Sequence, residues 1–156
     1  MTKGFPNVVA IVLLSAAGPA MSDTANVHVT ANIKGVCRIE SIQSVDFGVL
    51  EQGTTAADKN APGAVNYWCT KGVAYTITLG PGANPAGTVR QMKGQATTNS
   101  TELLKYELVA QSPVAGTGRG PQTPEALTLQ GTVRGADYNI LSVGGFRDTV
   151  VITVTP

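Results

Sequence analysis

The stretch Ala74-Tyr75-Thr76-Ile77-Thr78-Leu79-Gly80-Pro81-Gly82 decides the fold class. Tyr75, Ile77 and Leu79 alternate with Ala74, Thr76 and Thr78, the two-residue period of a strand with one buried face. Gly80-Pro81-Gly82 ends the run, because proline has no amide hydrogen and glycine admits turn dihedrals. The same period recurs upstream. Val27, Val29, Ala31 and Ile33 alternate with His28, Thr30, Asn32 and Lys34. Val45, Phe47 and Val49 form a less regular run, and Val65, Tyr67 and Cys69 share a face. Downstream come Leu104, Tyr106 and Leu108, then Leu127, Leu129, Gly131 and Val133, then Thr149-Val150-Val151-Ile152-Thr153-Val154-Thr155. Turn signals at Ala61-Pro62-Gly63, Gly80 to Pro85, Gly116 to Pro121 and Gly144-Gly145 separate these runs. Residues 101–110 admit either a helix starting near Glu102 or a strand through Tyr106-Glu107-Leu108-Val109. Helix signals are otherwise nearly absent. Seven or eight short strands with regular turns predict an all-β sandwich in one domain.

Composition agrees, since 19 Thr, 18 Val and 18 Gly in 156 residues favour strands and turns. The 11 basic and 10 acidic residues leave no clustered excess for phosphate binding, which argues against nucleic acid as a partner. The first segment reads separately from the rest. Lys3 precedes the apolar run Val8-Val9-Ala10-Ile11-Val12-Leu13-Leu14, and small residues follow from Ser15 to Ala20. This is the order of a secretory signal peptide over residues 1–20, and the run is shorter than the ~20 residues of a membrane span. Cleavage is placed after Ala20, with Ala17 and Ala25 as alternatives. Without Lys3 the chain carries ten basic and ten acidic residues, a net charge of zero. In an oxidising compartment its two cysteines, Cys37 and Cys69, predict one disulfide rather than a redox pair, which favours C-x-x-C spacing. The loop it closes, about 33 residues, is worth about 3–4 kcal/mol by chain entropy.

Catalytic patterns are missing. His28 falls on the polar side of its run, with no carboxylate or nucleophile at a motif spacing, and reads as solvent-facing. No G-x-S-x-G, H-E-x-x-H, P-loop or G-x-G-x-x-G occurs, and the five Asp are scattered without the spacing of a calcium loop. Two Cys and one His do not make a zinc site. The expectation is no enzyme, no cofactor, no metal and no small-molecule substrate. Asn99-Ser100-Thr101 matches the short glycosylation pattern, which arises often by chance. Trp68 reads as packing, and Arg90, Lys93, Arg119, Arg134 and Arg147 as a dispersed, solvated set. Two segments stand apart. Residues 22–36 hold an alternating strand before the first Cys, and the last strand runs into Pro156 with no later segment to cover its edge.

Several pieces, in order, carry a family likeness. They are Ala25 to Cys37 as an N-terminal strand leading into the first Cys, Val45-Asp46-Phe47-Gly48, and Val65 to Gly72 with the second Cys. Tyr75 to Leu79, Arg90-Gln91-Met92, Leu104 to Leu108 and Gly145 to Val154 complete the set. In this the chain resembles the spore coat protein U family, which includes the pilins of archaic chaperone–usher pili. It departs in having Phe146 where Tyr is frequent and Pro156 where an aromatic is frequent. The resemblance implies an incomplete immunoglobulin-like β-sandwich that lacks its last strand and is completed by donor-strand complementation. Residues 21–36 would be the donor segment, with Val27, Val29, Ala31 and Ile33 as plugs, and 37–156 the sandwich domain. The acceptor groove would be lined by Val150, Val151, Ile152 and Val154 of the terminal strand. Implied partners are further copies of the chain in a fibre, a periplasmic chaperone and an outer-membrane usher. The implied place is a cell-surface pilus supporting attachment and biofilm formation, reached through the periplasm. A secreted coat or matrix protein of the same fold, and a stand-alone secreted binding module, remain alternative readings.

Overall fold

The computed structural model describes residues 21–156; the expected signal peptide, residues 1–20, lies outside them. Residues up to Asn32 and residues from Ile33 onward form separate units. Of the first unit, residues 21–32 are exposed and belong to no strand.

The second unit is built from nine strands and one helical turn. A six-stranded antiparallel sheet has the order β1 (Cys37–Gln43), β2 (Lys59–Cys69), β7 (Glu125–Val133), β5 (Leu103–Ala110), β4 (Arg90–Gly94) and β8 (Phe146–Arg147). A three-stranded sheet has the order β6 (Ala115–Thr117), β3 (Ala74–Leu79) and β9 (Ile152–Thr155). The two sheets face each other as a sandwich over Val65, Tyr67, Cys69, Tyr75, Ile77, Leu108, Leu127 and Leu129. These are the inward positions that the two-residue period picks out. Thr76 and Thr78 alternate with Tyr75 and Ile77 and stay exposed. Residues 103–110 form β5, so the strand reading holds over the helical one there: Leu104 and Leu108 are buried and Tyr106 between them is half-buried on the same face, while Leu103, Lys105, Glu107 and Val109 are exposed on the other. The helical turn α1 (Gly135–Tyr138) lies in the connection between β7 and β8.

The smaller sheet covers only part of the larger one. Leu104, Val133 and Tyr138 make a second core cluster. Phe47, Leu50 and Ala56 pack on it from the segment between β1 and β2, and Leu141 and Phe146 from the chain after α1.

Three expectations need correcting. Ala61-Pro62-Gly63 is no turn but the middle of β2. Pro62 is tolerated because β1 ends its pairing at Ala64, so at Pro62 the strand has β7 alone as neighbour. Val45, Phe47 and Val49 are not in a strand: the Asp46 carboxylate accepts the Gly48 amide at 2.8 Å, and Gly48 turns the chain at φ 64°. The expected strand 149–155 is shorter, beginning at Ile152, and its pairing ends with Thr155 opposite Thr76.

Candidate functional site, the open side of β9

β9 is a run of β-branched residues and among the described residues hydrogen-bonds to β3 alone, so its other edge carries backbone groups that no described strand pairs. Val150, Ile152 and Val154 turn inward and pack on the main core cluster. Val151 alternates with them, is 67% exposed and faces the other way, with Thr153 and Thr155. Three of the four expected groove residues thus share one face and the fourth does not.

Across from β9 lies β1, an outer strand of the larger sheet, paired among the described residues with β2 alone. The two approach each other without a ladder between them. Ile39 stands opposite Tyr67 and Ile42 opposite Val65, so both point to the inner face. They are nevertheless 39% and 66% exposed. A bulge between Ile39 and Ser41 is what puts both isoleucines on one side despite their odd spacing. Inward-facing apolar side chains left in water mark a layer that ends one strand short. The sequence reading missed these two residues, because Ile39 and Ile42 break the two-residue period. A spacing of three between apolar residues in a strand is the signal that would have found the bulge.

A cavity of about 660 Å³ lies at the second core cluster. Residues 45–50 and 141–146 bound it, with Met92, Leu104 and Tyr138 among its lining. Val45 and Phe47 reach the larger sheet where it has glycine: a Cβ on Gly63 would stand 2.7 Å from Val45 Cγ2, and one on Gly131 2.6 Å from Val45 Cγ1. The 141–146 wall is tied down from both sides. The Gln52 amide donates to Tyr138 O at 2.8 Å and Leu141 O at 2.6 Å. Thr98 Oγ1 donates to Val143 O at 2.9 Å, and buried Asn99 donates to Gly145 O at 3.3 Å while accepting the Ala96 amide at 2.9 Å. Asn99 is 1% exposed, so in the folded chain its amide is closed to a glycosyl donor. At the cavity, Val49 and Val143 are 82% and 85% exposed.

Three tyrosine hydroxyls link distant segments of the sandwich. The Tyr67 and Tyr75 hydroxyls lie 2.8 Å apart, and Tyr75 donates to Glu125 Oε2 at 2.9 Å. Tyr106 donates to Asp148 Oδ2. Burial, and then these hydrogen bonds, push both Tyr75 and Tyr106 well above the ordinary tyrosine range. Arg90 is a further correction: it is not part of a solvated set but donates to the carbonyls of Gly80, Leu108 and Leu79 at 2.9, 3.2 and 3.4 Å.

The other expected residues are placed as follows. Cys37 and Cys69 are joined by a disulfide at the paired ends of β1 and β2. Val27, Val29 and Ile33 are 85%, 90% and 90% exposed, and Ala31 and His28 are exposed too. Among the described residues no group of three or more His, Cys, Asp or Glu is placed to hold a metal ion. No helix of the described residues is long and apolar enough to cross a membrane.

No curated protein sequence matches the chain. Among solved structures it is similar to a chain in the complex of CsuC and CsuE, a chaperone and tip adhesion subunit in pre-assembly, from the archaic chaperone–usher Csu pili of Acinetobacter baumannii. The TM-score is 0.53 at 22% identity, over 78% of this chain, which spans 40% of the other. That likeness supports the fold, an all-β sandwich of immunoglobulin-like type. The Spore Coat Protein U domain matches residues 23–153, nearly all of the described sequence, and the chain belongs to that family.

Proposed function

We propose that the chain is a structural subunit of a chaperone–usher pilus, polymerising head to tail by strand donation. Residues 21–36 of one copy enter the open side of β9 in the next. The observation that carries this is the pairing of an unpaired β9 edge with uncovered Ile39 and Ile42 facing inward beside it. A strand added there completes the ladder with backbone bonds and fills the uncovered layer with alternate side chains. Val27, Val29, Ala31 and Ile33 supply such a face. Burying them gives roughly 5–8 kcal/mol of gross apolar stabilisation. The segment has the period of a strand but forms none in its own chain, as a donor waiting for a neighbour would.

The same open edge explains the rest of the assignment. A subunit in transit with this surface bare would aggregate, so a periplasmic chaperone covers it and an usher exchanges chaperone for donor. The complex to which the chain is similar pairs a subunit with its chaperone. Residues 1–20 then direct export, 37–156 form the sandwich, and the product is a surface fibre for attachment and biofilm formation. Head-to-tail contacts that do not close on themselves build filaments. Removing residues 22–34 tests the assignment. The shortened chain is expected to be secreted yet absent from polymer ladders on unheated gels and from fibres in electron micrographs. Ladders of unchanged length would refute strand donation.

A further inference from the structure

The chain changes sheets between β8 and β9: Phe146–Arg147 belongs to the larger sheet and Ile152–Thr155 to the smaller. Asp148 opens the crossing. Its carboxylate accepts the Tyr106 hydroxyl from β5 of the larger sheet and, at 2.7 Å, the Ala83 amide from the loop after β3 of the smaller one. Gly82, at φ +87°, passes so close to this carboxylate that a Cβ there would collide with it. Arg90 stands directly opposite Tyr106 in the β4–β5 ladder and holds the carbonyls of Leu79, Gly80 and Leu108. The Gly80 amide in turn donates to Val151 O at 2.8 Å. Three segments from both sheets, β4, β5 and the end of β3 with its loop, therefore converge around the start of the run that leads into β9.

We propose that Asp148 is a positioning residue for the acceptor edge: with Tyr106 and Arg90 it fixes residues 148–151, and so the free edge of β9, before a donor arrives. The inference rests on the strand-donation reading above. β9 has four residues and one neighbour, and a strand that short with a single ladder has little stability of its own. Val150 packs inward although it lies outside any strand, so something other than a ladder sets its direction. Without the carboxylate the run frays in the donor-free subunit. A donor must then order it on binding, and that ordering cost is lost from affinity.

The probe is a synthetic peptide of residues 21–36, added to the monomeric secreted chain. Asp148→Ala is expected to weaken peptide binding about tenfold, mostly in the association rate, and Tyr106→Phe by less. Amide exchange at Gly80 is expected to rise in both free variants, with Val65 unchanged, and to return to the wild-type level when peptide is bound. A merely structural role would raise exchange across the chain and leave peptide affinity unaltered. Equal affinity in the wild type and both variants, or unchanged exchange at Gly80, overturns the proposal. If Asp148→Ala does not fold, Tyr106→Phe decides. If the wild-type chain binds no peptide, strand donation fails, while exchange at Gly80 still decides whether Asp148 fixes the run.

Discussion

Tyr75 and Tyr106 show how single side chains tie distant parts of the sandwich together. Each brings an aromatic body into the core and a hydroxyl to a carboxylate far along the chain, Glu125 on β7 and Asp148 in the crossing between β8 and β9. Their folded-state affinity for the proton is raised, chiefly by burial. A tyrosine whose folded pKa lies above its unfolded value of about 10 contributes stability that is fully present below pH ~10 and is lost as pH rises beyond it. The urea midpoint is therefore expected to hold up to about pH 10 and then to fall steeply. Tyr75→Phe and Tyr106→Phe should each start lower, by about 0.5–1.5 kcal/mol at pH 7, and fall less steeply above pH ~10. Urea titrations between pH 7 and 11 check this, and parallel curves for wild type and variants would contradict it. The two-residue period already places Tyr75 and Tyr106 on inward faces. Their partners stand 50 and 42 residues away, and no local pattern links them. Arg90 was hidden for a similar reason: its acceptors are backbone carbonyls, to which any sequence is equivalent.

β1 is the element on which the open side depends, and it is an edge strand. It is paired on one edge and exposed along nearly its whole length. Two things hold it: the ladder to β2 and the disulfide at its first residue, Cys37, opposite Cys69. Breaking the bridge frees the unfolded chain from a loop of about 33 residues, a change of about 3–4 kcal/mol in the entropic account. Cys37→Ser is expected to lower the unfolding free energy by that amount, read as a lower guanidinium midpoint at unchanged slope, and to reduce peptide binding, because Ile39 and Ile42 lose their anchor. A midpoint within error of the wild type would show that the ladder alone suffices. The cysteine pair was legible from residue counts and the expected signal peptide. β1 itself was not, since its bulge spoils the alternation on which strand reading rests. β2 shows the opposite failure: Pro62 and Gly63 look like a turn, yet Pro62 sits where one neighbour is missing and Gly63 makes room for Val45.

At the scale of the molecule the sandwich is unequal, six strands against three, and the deficit falls beside β9. Alternation and turns point to a sandwich, but they say nothing about how many strands lie in each sheet. That depends on where the chain crosses over, and the crossing at 148–151 carries no turn signal. An incomplete fold should be measurably short of stability and should recover it from the missing strand alone. A ligand that binds only the folded state adds RT ln(1 + [L]/Kd), about 2.7 kcal/mol at a concentration of 100 Kd and about 4.1 at 1,000 Kd. The peptide of residues 21–36 is therefore expected to raise the melting temperature of the monomeric chain in proportion to the logarithm of its concentration. A peptide with Val27, Val29 and Ile33 replaced by Ser keeps the backbone donors and acceptors but loses the plugs, and it should produce little shift. Salt should matter little, because the contact is apolar and backbone-mediated and the chain without Lys3 carries no net charge. Differential scanning fluorimetry across peptide concentration and ionic strength separates the cases. Equal shifts from both peptides would mean that backbone pairing alone completes the sheet. A shift that disappears at high salt would mean that the segment is held by charge instead of by its alternating apolar face.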